Sequence, residues 1–195
     1  MITFTLNGKL INYSGDPERS LLKYLRLDNH LTAVKDGCSA QSACGACTVE
    51  VDGKARLSCV MKMKKLDGAI VFTPEGFPEY VKDTIAKAFV NSGAVQCGFC
   101  TPGFISRTKV LLQGNANPSI EEIQKAIKPH LCRCTGYKKV EDGILHAAKA
   151  ISKNDHIEIS KTSGKVGIPH PKYKAYDTAI GKRKFVDDIF LDRML

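Results

Sequence analysis

The chain has no tryptophan, few aromatic residues, no long apolar run and no block of like charge, and each shortage excludes a class of function. No apolar stretch approaches the roughly 18 to 20 residues that a bilayer span requires, so a soluble chain with no membrane partner is expected. The opening Met1-Ile2-Thr3-Phe4-Thr5-Leu6-Asn7-Gly8 alternates polar and apolar residues. It lacks the basic segment, apolar stretch and small-residue cleavage site of a secretory signal. Export is therefore not expected, and a cytoplasmic location would keep thiols reduced. The formal net charge of +9 invites a nucleic-acid reading. Yet the lysines are scattered, no five like charges run together, and aromatics make up only 7% of the chain, so nucleic acid is not the expected partner. Met61-Lys62-Met63-Lys64-Lys65 reads as a solvated strand end rather than a phosphate clamp.

Turn and period signals divide the 195 residues into three segments. Residues 1–76 are strand-rich. Asn7-Gly8 between Thr3–Leu6 and Leu10–Tyr13 marks one hairpin, and Asp52-Gly53 between Cys47–Val51 and Ala55–Val60 marks another. Ala69–Thr73 is a further strand, and Ser20–Arg26 suits a short helix, so a mixed α+β domain is expected. Residues 77–154 carry a helical period. Tyr80, Val81, Ile85, Ala88 and Phe89 share one face; Thr101 and Pro102 open a second helix as N-cap and first residue, and Gly114 ends it. Ser119 and Glu122 stand at capping-box spacing for a third that stops before Pro129, and Val140, Ile144, Leu145, Ala148 and Ile151 line a fourth. Four short helices on close connections make a bundle. Residues 155–195 contain Gly164, Gly167, Pro169 and Pro171 and show no core of their own, so this tail is expected to lie on something else.

What the chain has in plenty is cysteine, eight in all, four on each side of the boundary just drawn. Cys38, Cys44, Cys47 and Cys59 follow C-x5-C-x2-C-x11-C, and Cys97, Cys100, Cys132 and Cys134 follow C-x2-C-x31-C-x1-C. Four thiolates suit zinc or an iron–sulfur cluster. The first set is close to the plant-type [2Fe-2S] spacing, with Ala43, Gly45 and Ala46 small enough for backbone N–H groups to approach sulfur. It departs from that spacing in placing five residues, Ser39-Ala40-Gln41-Ser42-Ala43, between its first two cysteines. The extra residue must bulge outward or shift a ligand. Zinc sites usually pair two C-x2-C knuckles, and this set has one. In the second set Cys100, followed by Thr101-Pro102-Gly103, and Cys134, followed by Thr135-Gly136, are each expected just before a helix start, where free N–H groups favour an anionic cluster. A zinc ion stapling two helix pairs is the alternative, disfavoured by the single residue between Cys132 and Cys134.

The chain resembles the iron–sulfur portion of the molybdenum hydroxylases, the xanthine dehydrogenase and aldehyde oxidoreductase family. The matching motifs are Asp36-Gly37-Cys38, Ala43-Cys44-Gly45-Ala46-Cys47-Thr48-Val49, Asp52-Gly53-Lys54, Gln96-Cys97-Gly98-Phe99-Cys100-Thr101-Pro102-Gly103 and Cys132-Arg133-Cys134-Thr135-Gly136-Tyr137. The resemblance implies an N-terminal β-grasp, plant-ferredoxin-like [2Fe-2S] domain, then a four-helix [2Fe-2S] domain. It implies that all eight cysteines are metal ligands, and that Gln96 and Cys134 approach a molybdopterin, in its cytosine dinucleotide form, on a catalytic partner. No residue of this chain would be catalytic. Electrons would pass through both clusters to a FAD-containing subunit or another acceptor in a hetero-oligomer that oxidises a purine, a related N-heterocycle or an aldehyde. Lys165-Val166-Gly167, Lys182-Arg183-Lys184-Phe185-Val186-Asp187-Asp188-Ile189 and Met194-Leu195 are similar to the opening of the family's molybdenum-binding domain. There Phe185, Val186, Ile189, Phe190 and Leu191 look suited to burial. A stand-alone ferredoxin-like carrier and a zinc-dependent nucleic-acid binder are the rival readings.

Overall fold

Asn7 and Gly8 take φ of 49° and 80°, and the turn they form joins β1 (Ile2–Leu6) to β2 (Lys9–Tyr13). Asp52 and Gly53, at 49° and 71°, do the same between β3 (Thr48–Val51) and β4 (Lys54–Leu57). Both turns need the left-handed region, which Asn, Asp and Gly tolerate. The structure, a computed structural model, describes residues 1–161, 163–168 and 170–191. Pro169, Met194 and Leu195, singled out above, lie outside the described residues.

Strand β5 (Ile70–Phe72) knits the hairpins together, parallel to β1 and antiparallel to β3, in the order β2-β1-β5-β3-β4. Across the sheet runs α1 (Leu21–Lys23), whose Ser20 cap accepts from Lys23 N–H; it widens into a π-helical turn over Tyr24–Asp28. Leu21, Leu25 and Met63 are fully buried with Phe4, Val49 and Val71, the core of a β-grasp domain. Two expectations are corrected here. Strand β4 stops at Leu57, so Cys59 sits on the following loop. The run around Met63 is a 3-10 turn, Met63–Lys65, not a strand end, because Met63 is drawn fully into the core.

The helical domain comprises α2 (Glu79–Asn91), α3 (Thr101–Gly114), α4 (Ile120–Ile127) and α5 (Lys138–Lys153). Ser119 and Glu122 form the expected capping box. Helix α3 begins one position early, with Cys100 as N-cap and Pro102 at the second residue. Helices α2 and α5 pack closely because Gly143 faces Phe89; a Cβ there would stand 2.8 Å from the ring. Gly143→Val should therefore lower stability by about 2 kcal/mol in urea unfolding, since overpacking a filled contact forces side chains off their rotamers. Among the described residues no helix is long and apolar enough to cross a membrane.

The tail lies on this chain's own two domains. Its helix α6 (Ala175–Ala179) sits against α2 and α3, and Ala175, Ala179 and Ile180 join the helical core. The apolar residues expected to be buried are mostly outside: Val186 is 83% exposed and Leu191 67%, with Ile189 and Phe190 near half. Phe185 packs edge-on to Phe99 at 5.2 Å between ring centroids, and the half-exposed Phe190 reaches the His30 ring at 6.0 Å. Charge holds the segment instead. The fully buried Asp188 carboxylate pairs with the buried Lys35 ammonium, and its other oxygen accepts from Arg26 Nη1 at 3.0 Å.

Candidate metal centres

The loop from Cys38 to Cys47 places three cysteines of the first set between α1 and β3, and Cys59 follows β4. Ser39, Ala40 and Ser42 all have positive φ, at 51°, 61° and 58°, and the five residues from Ser39 to Ala43 are exposed. The extra residue thus bulges outward, and Cys38 still reaches the Cys44 thiol. Three non-glycine residues in the left-handed region store backbone strain at the rim of the site.

The thiols come two by two. Cys38 lies against Cys44, and Cys47 against Cys59. In the helical domain Cys100 lies against Cys132, and Cys134 Sγ is 3.6 Å from Cys97 Sγ. Among the described residues no three Cys, His, Asp or Glu side chains converge on a single ion-sized point. A tetrahedral zinc ion needs all four thiolates about 2.3 Å from one centre, whereas a [2Fe-2S] core divides four cysteines between two irons. The donor set fits the second arrangement in both domains. A cavity of about 190 Å³, lined by Cys44, Cys97, Cys100, Cys132 and Cys134, opens between the two sets.

Local backbone prepares these sulfurs unequally. Burial works to raise the Cys38 thiol, but N–H groups of Ala43, Cys44 and Gln41 and the Cys44 thiol outweigh it and bring the pKa below its ordinary value. Burial likewise opposes Cys132, where the Thr135 hydroxyl and the N–H groups of Cys134 and Thr135 prevail and lower it. Cys47 and Cys100 go the other way: burial pushes Cys47 up to about 12 and raises Cys100 further still. Each domain therefore has one thiol whose anion is favoured by nearby donors, Cys38 or Cys132, and one whose anion burial disfavours, Cys47 or Cys100. Ala43 and Ala46 serve their sulfurs through N–H groups, as their size suggested, but Gly45 does something else. Its Cα faces the helical domain, where a Cβ would lie 2.6 Å from Pro129 O.

Cys134 is not immediately followed by a helix. Thr135, Gly136 and Tyr137 intervene, the last two at φ of 61° and 68°, before α5 starts at Lys138. Tyr137 turns back so that its hydroxyl donates to His130 O at 2.9 Å and accepts from Cys132 N–H at 3.1 Å, which fixes the Cys132 loop. Cys97 and Cys134 are exposed while Cys132 is buried, so one face of the helical set looks outward. Gln96 is on that exposed side, donating through Nε2 to Gly93 O at 3.2 Å.

The two loops meet directly. Leu131 N–H donates to Cys44 O at 2.9 Å, so one residue and one hydrogen bond separate Cys132 from Cys44. His130, 3% exposed, stacks on Phe104 and stands 3.3 Å from Thr48 Oγ1 through Nε2. Burial pushes its pKa down to about 3, with the Arg107 charge adding to the effect, so the imidazole is neutral. Nearby, the buried ion pair of Lys109 on α3 with Glu50 on β3 ties the domains together. His130, Lys109 and Lys35 did not stand out in the sequence, and Asp188 was read only as one residue of the tail motif. The one available signal was the position of His130, two residues before Cys132.

Comparison with known proteins agrees with this geometry. Residues 4–64 match a 2Fe-2S iron-sulfur cluster binding domain, and residues 73–145 match a [2Fe-2S] binding domain. The chain is 42% identical over 149 residues to a nicotinate dehydrogenase small FeS subunit from Eubacterium barkeri, covering 76% of this chain and 94% of that protein. It is 39% identical over 151 residues to a xanthine dehydrogenase iron-sulfur-binding subunit from Escherichia coli O157:H7, again over 76% and 94%. Among solved structures, the aldehyde oxidoreductase from Desulfovibrio desulfuricans superposes with a TM-score of 0.86 at 37% identity over 96% of this chain. The chain spans 22% of that protein's length, and at 96% coverage the match necessarily includes most of the tail. Both cluster-binding domain models match this chain in this order, and the small subunits are matched over nearly their full length. The chain belongs to the iron–sulfur subunit family of the molybdenum hydroxylases, the non-catalytic, electron-transferring part of an oxidoreductase.

Proposed function

We propose that this chain holds two [2Fe-2S] clusters in series and relays electrons from a molybdopterin on a catalytic partner to a FAD-containing subunit or other acceptor. Cys38, Cys44, Cys47 and Cys59 would hold the outer cluster, and Cys97, Cys100, Cys132 and Cys134 the inner one, in domains bounded at about residues 76 and 154. Each cluster, when bound, supplies one-electron redox chemistry. The observation that carries the reading is the pairing of thiols within each domain, two for each iron. The chain's own contribution is spacing and insulation. The Leu131 N–H to Cys44 O bond holds the two ligand loops at a fixed separation. N–H donors at Cys38 and Cys132 favour the anionic sulfur that iron requires. The exposed face at Gln96, Cys97 and Cys134 is the side offered to the molybdopterin, with the cytosine dinucleotide form proposed.

The partner would oxidise a purine or related N-heterocycle. An aldehyde is the second reading, supported by the tail's likeness to the aldehyde oxidoreductase. Substrate oxidation by the copurified complex separates the two. For the clusters, anaerobically purified protein should contain iron and acid-labile sulfide and give two distinct EPR signals on reduction. Cys134→Ser should alter the inner signal and Cys47→Ser the outer one. Colourless protein containing zinc, or both substitutions acting on one signal, would overturn the assignment.

A further inference from the structure

This protein pairs its buried cations with care. Lys35 and Arg26 meet Asp188, and Lys109 meets Glu50. Among the described residues, Arg107 on α3 and Lys172 of the tail, whose Nζ is buried without a partner, are exceptions, and Arg107 is the one that lines a cavity between the domains. It is partly buried, burial lowers its pKa, and it has no carboxylate within ion-pair distance among the described residues. Its one side-chain hydrogen bond among the described residues, from Nε to His130 Nε2, is 3.5 Å long and reaches an imidazole nitrogen rather than a carboxylate. A desolvated guanidinium without an anion is unfavourable for the folded chain alone, which asks for an acceptor from outside.

Arg107 faces a cavity of about 670 Å³ between the domains, walled by Lys54 and Arg56 of edge strand β4, by Val60 and Met61 just after Cys59, and by Lys65. None of Lys54, Arg56 and Lys65 takes part in an ion pair among the described residues. The acidic group on the wall is Asp52, whose Oδ1 is engaged by Ile70 N–H at 2.8 Å. Four cations against one carboxylate make the cavity strongly attractive to anions. Its size is that of an ordinary small-molecule site. Val60, 54% exposed, and Met61 add an apolar wall on the side of Cys59, suited to a ring carried by the anion. Fixed donors in a fork favour phosphate at Arg107, where a bidentate contact is available.

We propose that this cavity is a binding site for a phosphorylated small molecule, nucleotide-like in size, with its phosphates on Arg107, Lys54, Arg56 and Lys65 and its ring against Val60 and Met61. No cysteine of either thiol set lines the cavity, although its apolar wall follows directly on Cys59, and Gln96 is not part of it. No part of the relay uses it.

The test is calorimetric titration of the purified full chain, clusters loaded, with ADP and separately with inorganic pyrophosphate. ADP should bind, weaken with added salt, and bind about tenfold or more weakly to Arg107→Met, as expected for loss of a charge-assisted hydrogen bond. Pyrophosphate binding as tightly as ADP would assign the site to a phosphate chain alone; weaker pyrophosphate binding would assign the ring to the apolar wall. The unfolding temperature of the free protein supplies an independent sign. If Arg107 awaits a ligand, Arg107→Met raises it, because a partly buried charge without a carboxylate partner is replaced by an apolar side chain of similar length. Absence of ADP and pyrophosphate binding, binding unchanged in Arg107→Met, or a lowered unfolding temperature in that variant would each overturn the proposal.

Discussion

Asp188→Ala should lower the stability of the chain by about 3 to 5 kcal/mol, the usual result of removing one partner from a buried ion pair. The Lys35 ammonium, fully buried, would lose the carboxylate that balances it. Arg26 would keep Val34 O at 2.8 Å and the Asp187 carboxylate at 2.8 Å, so the loss falls mainly on Lys35. Phe185 N–H, which donates to Asp188 Oδ2 at 2.9 Å, would be stranded as well. The neighbouring Asp187→Ala is the control: its side chain is 57% exposed, so the effect should stay near or below about 1 kcal/mol. Urea unfolding of both variants measures the difference. The dependence on pH has a definite sign. Burial works against the Asp188 carboxylate, but hydrogen bonds from Lys35 and Phe185 prevail and hold it below the usual carboxylate range. A group whose folded pKa is depressed contributes fully above its unfolded value, about 3.9, and loses that contribution as pH falls through the folded value. The wild-type advantage over Asp188→Ala should therefore persist at neutral pH and shrink only below about pH 4. An advantage that faded between pH 5 and 7 would contradict this arrangement.

That ion pair also marks where the sequence could be read and where it could not. The thiol sets, both hairpins and the Ser119 capping box follow from local chemistry: turn residues that need positive φ, spacings that a loop can close, and a side chain that reaches a backbone N–H three residues on. The tail follows from none of these. In Phe185-Val186-Asp187-Asp188-Ile189 the apolar residues suggest burial and the aspartates suggest solvent, yet Asp188 is the fully covered member and Val186 the open one. The reason lies 153 residues away in Lys35, and no local period encodes a pairing at that distance. The outward bulge of Ser39 to Ala43 was legible only as a choice between two outcomes. Contact between Cys38 and Cys44 decided it, because the rim has open solvent to bulge into and the ligand pair has nowhere to move. The helix start assigned to Cys134 failed for a different reason. Gly136 and Tyr137 are both held at positive φ, and a tyrosine in that region is too rare for propensity to anticipate.

Gly45→Ala should be among the most damaging single substitutions in the protein, and the reason is the seam between the two thiol sets. At φ of 72° any Cβ carries strain of about 1 to 2 kcal/mol. Here it would also stand 2.6 Å from Pro129 O and 2.9 Å from His130 Cα, both backbone atoms that cannot rotate aside. The same seam is closed from the other side by Gly103, whose Cβ would meet Gly45 O at 2.9 Å. To admit a methyl group the Cys44 loop and the segment before Cys132 must separate, and the Leu131 N–H to Cys44 O bond is the contact that opens first. Gly53 provides the matched control. It has nearly the same φ, 71°, with nothing within 4 Å of its Cβ position. Gly53→Ala measures the backbone strain alone. The excess of Gly45→Ala over it measures the packing, expected at about 2 kcal/mol or more. In the protein with clusters loaded, Gly45→Ala should also weaken the magnetic interaction between the two reduced centres seen by EPR, which Gly53→Ala should leave unchanged. Equal destabilisation by the two substitutions would mean that the domains yield at this seam without resistance. A spacing fixed by the Cys44 and Leu131 backbone, on which the proposed relay depends, would then be untenable.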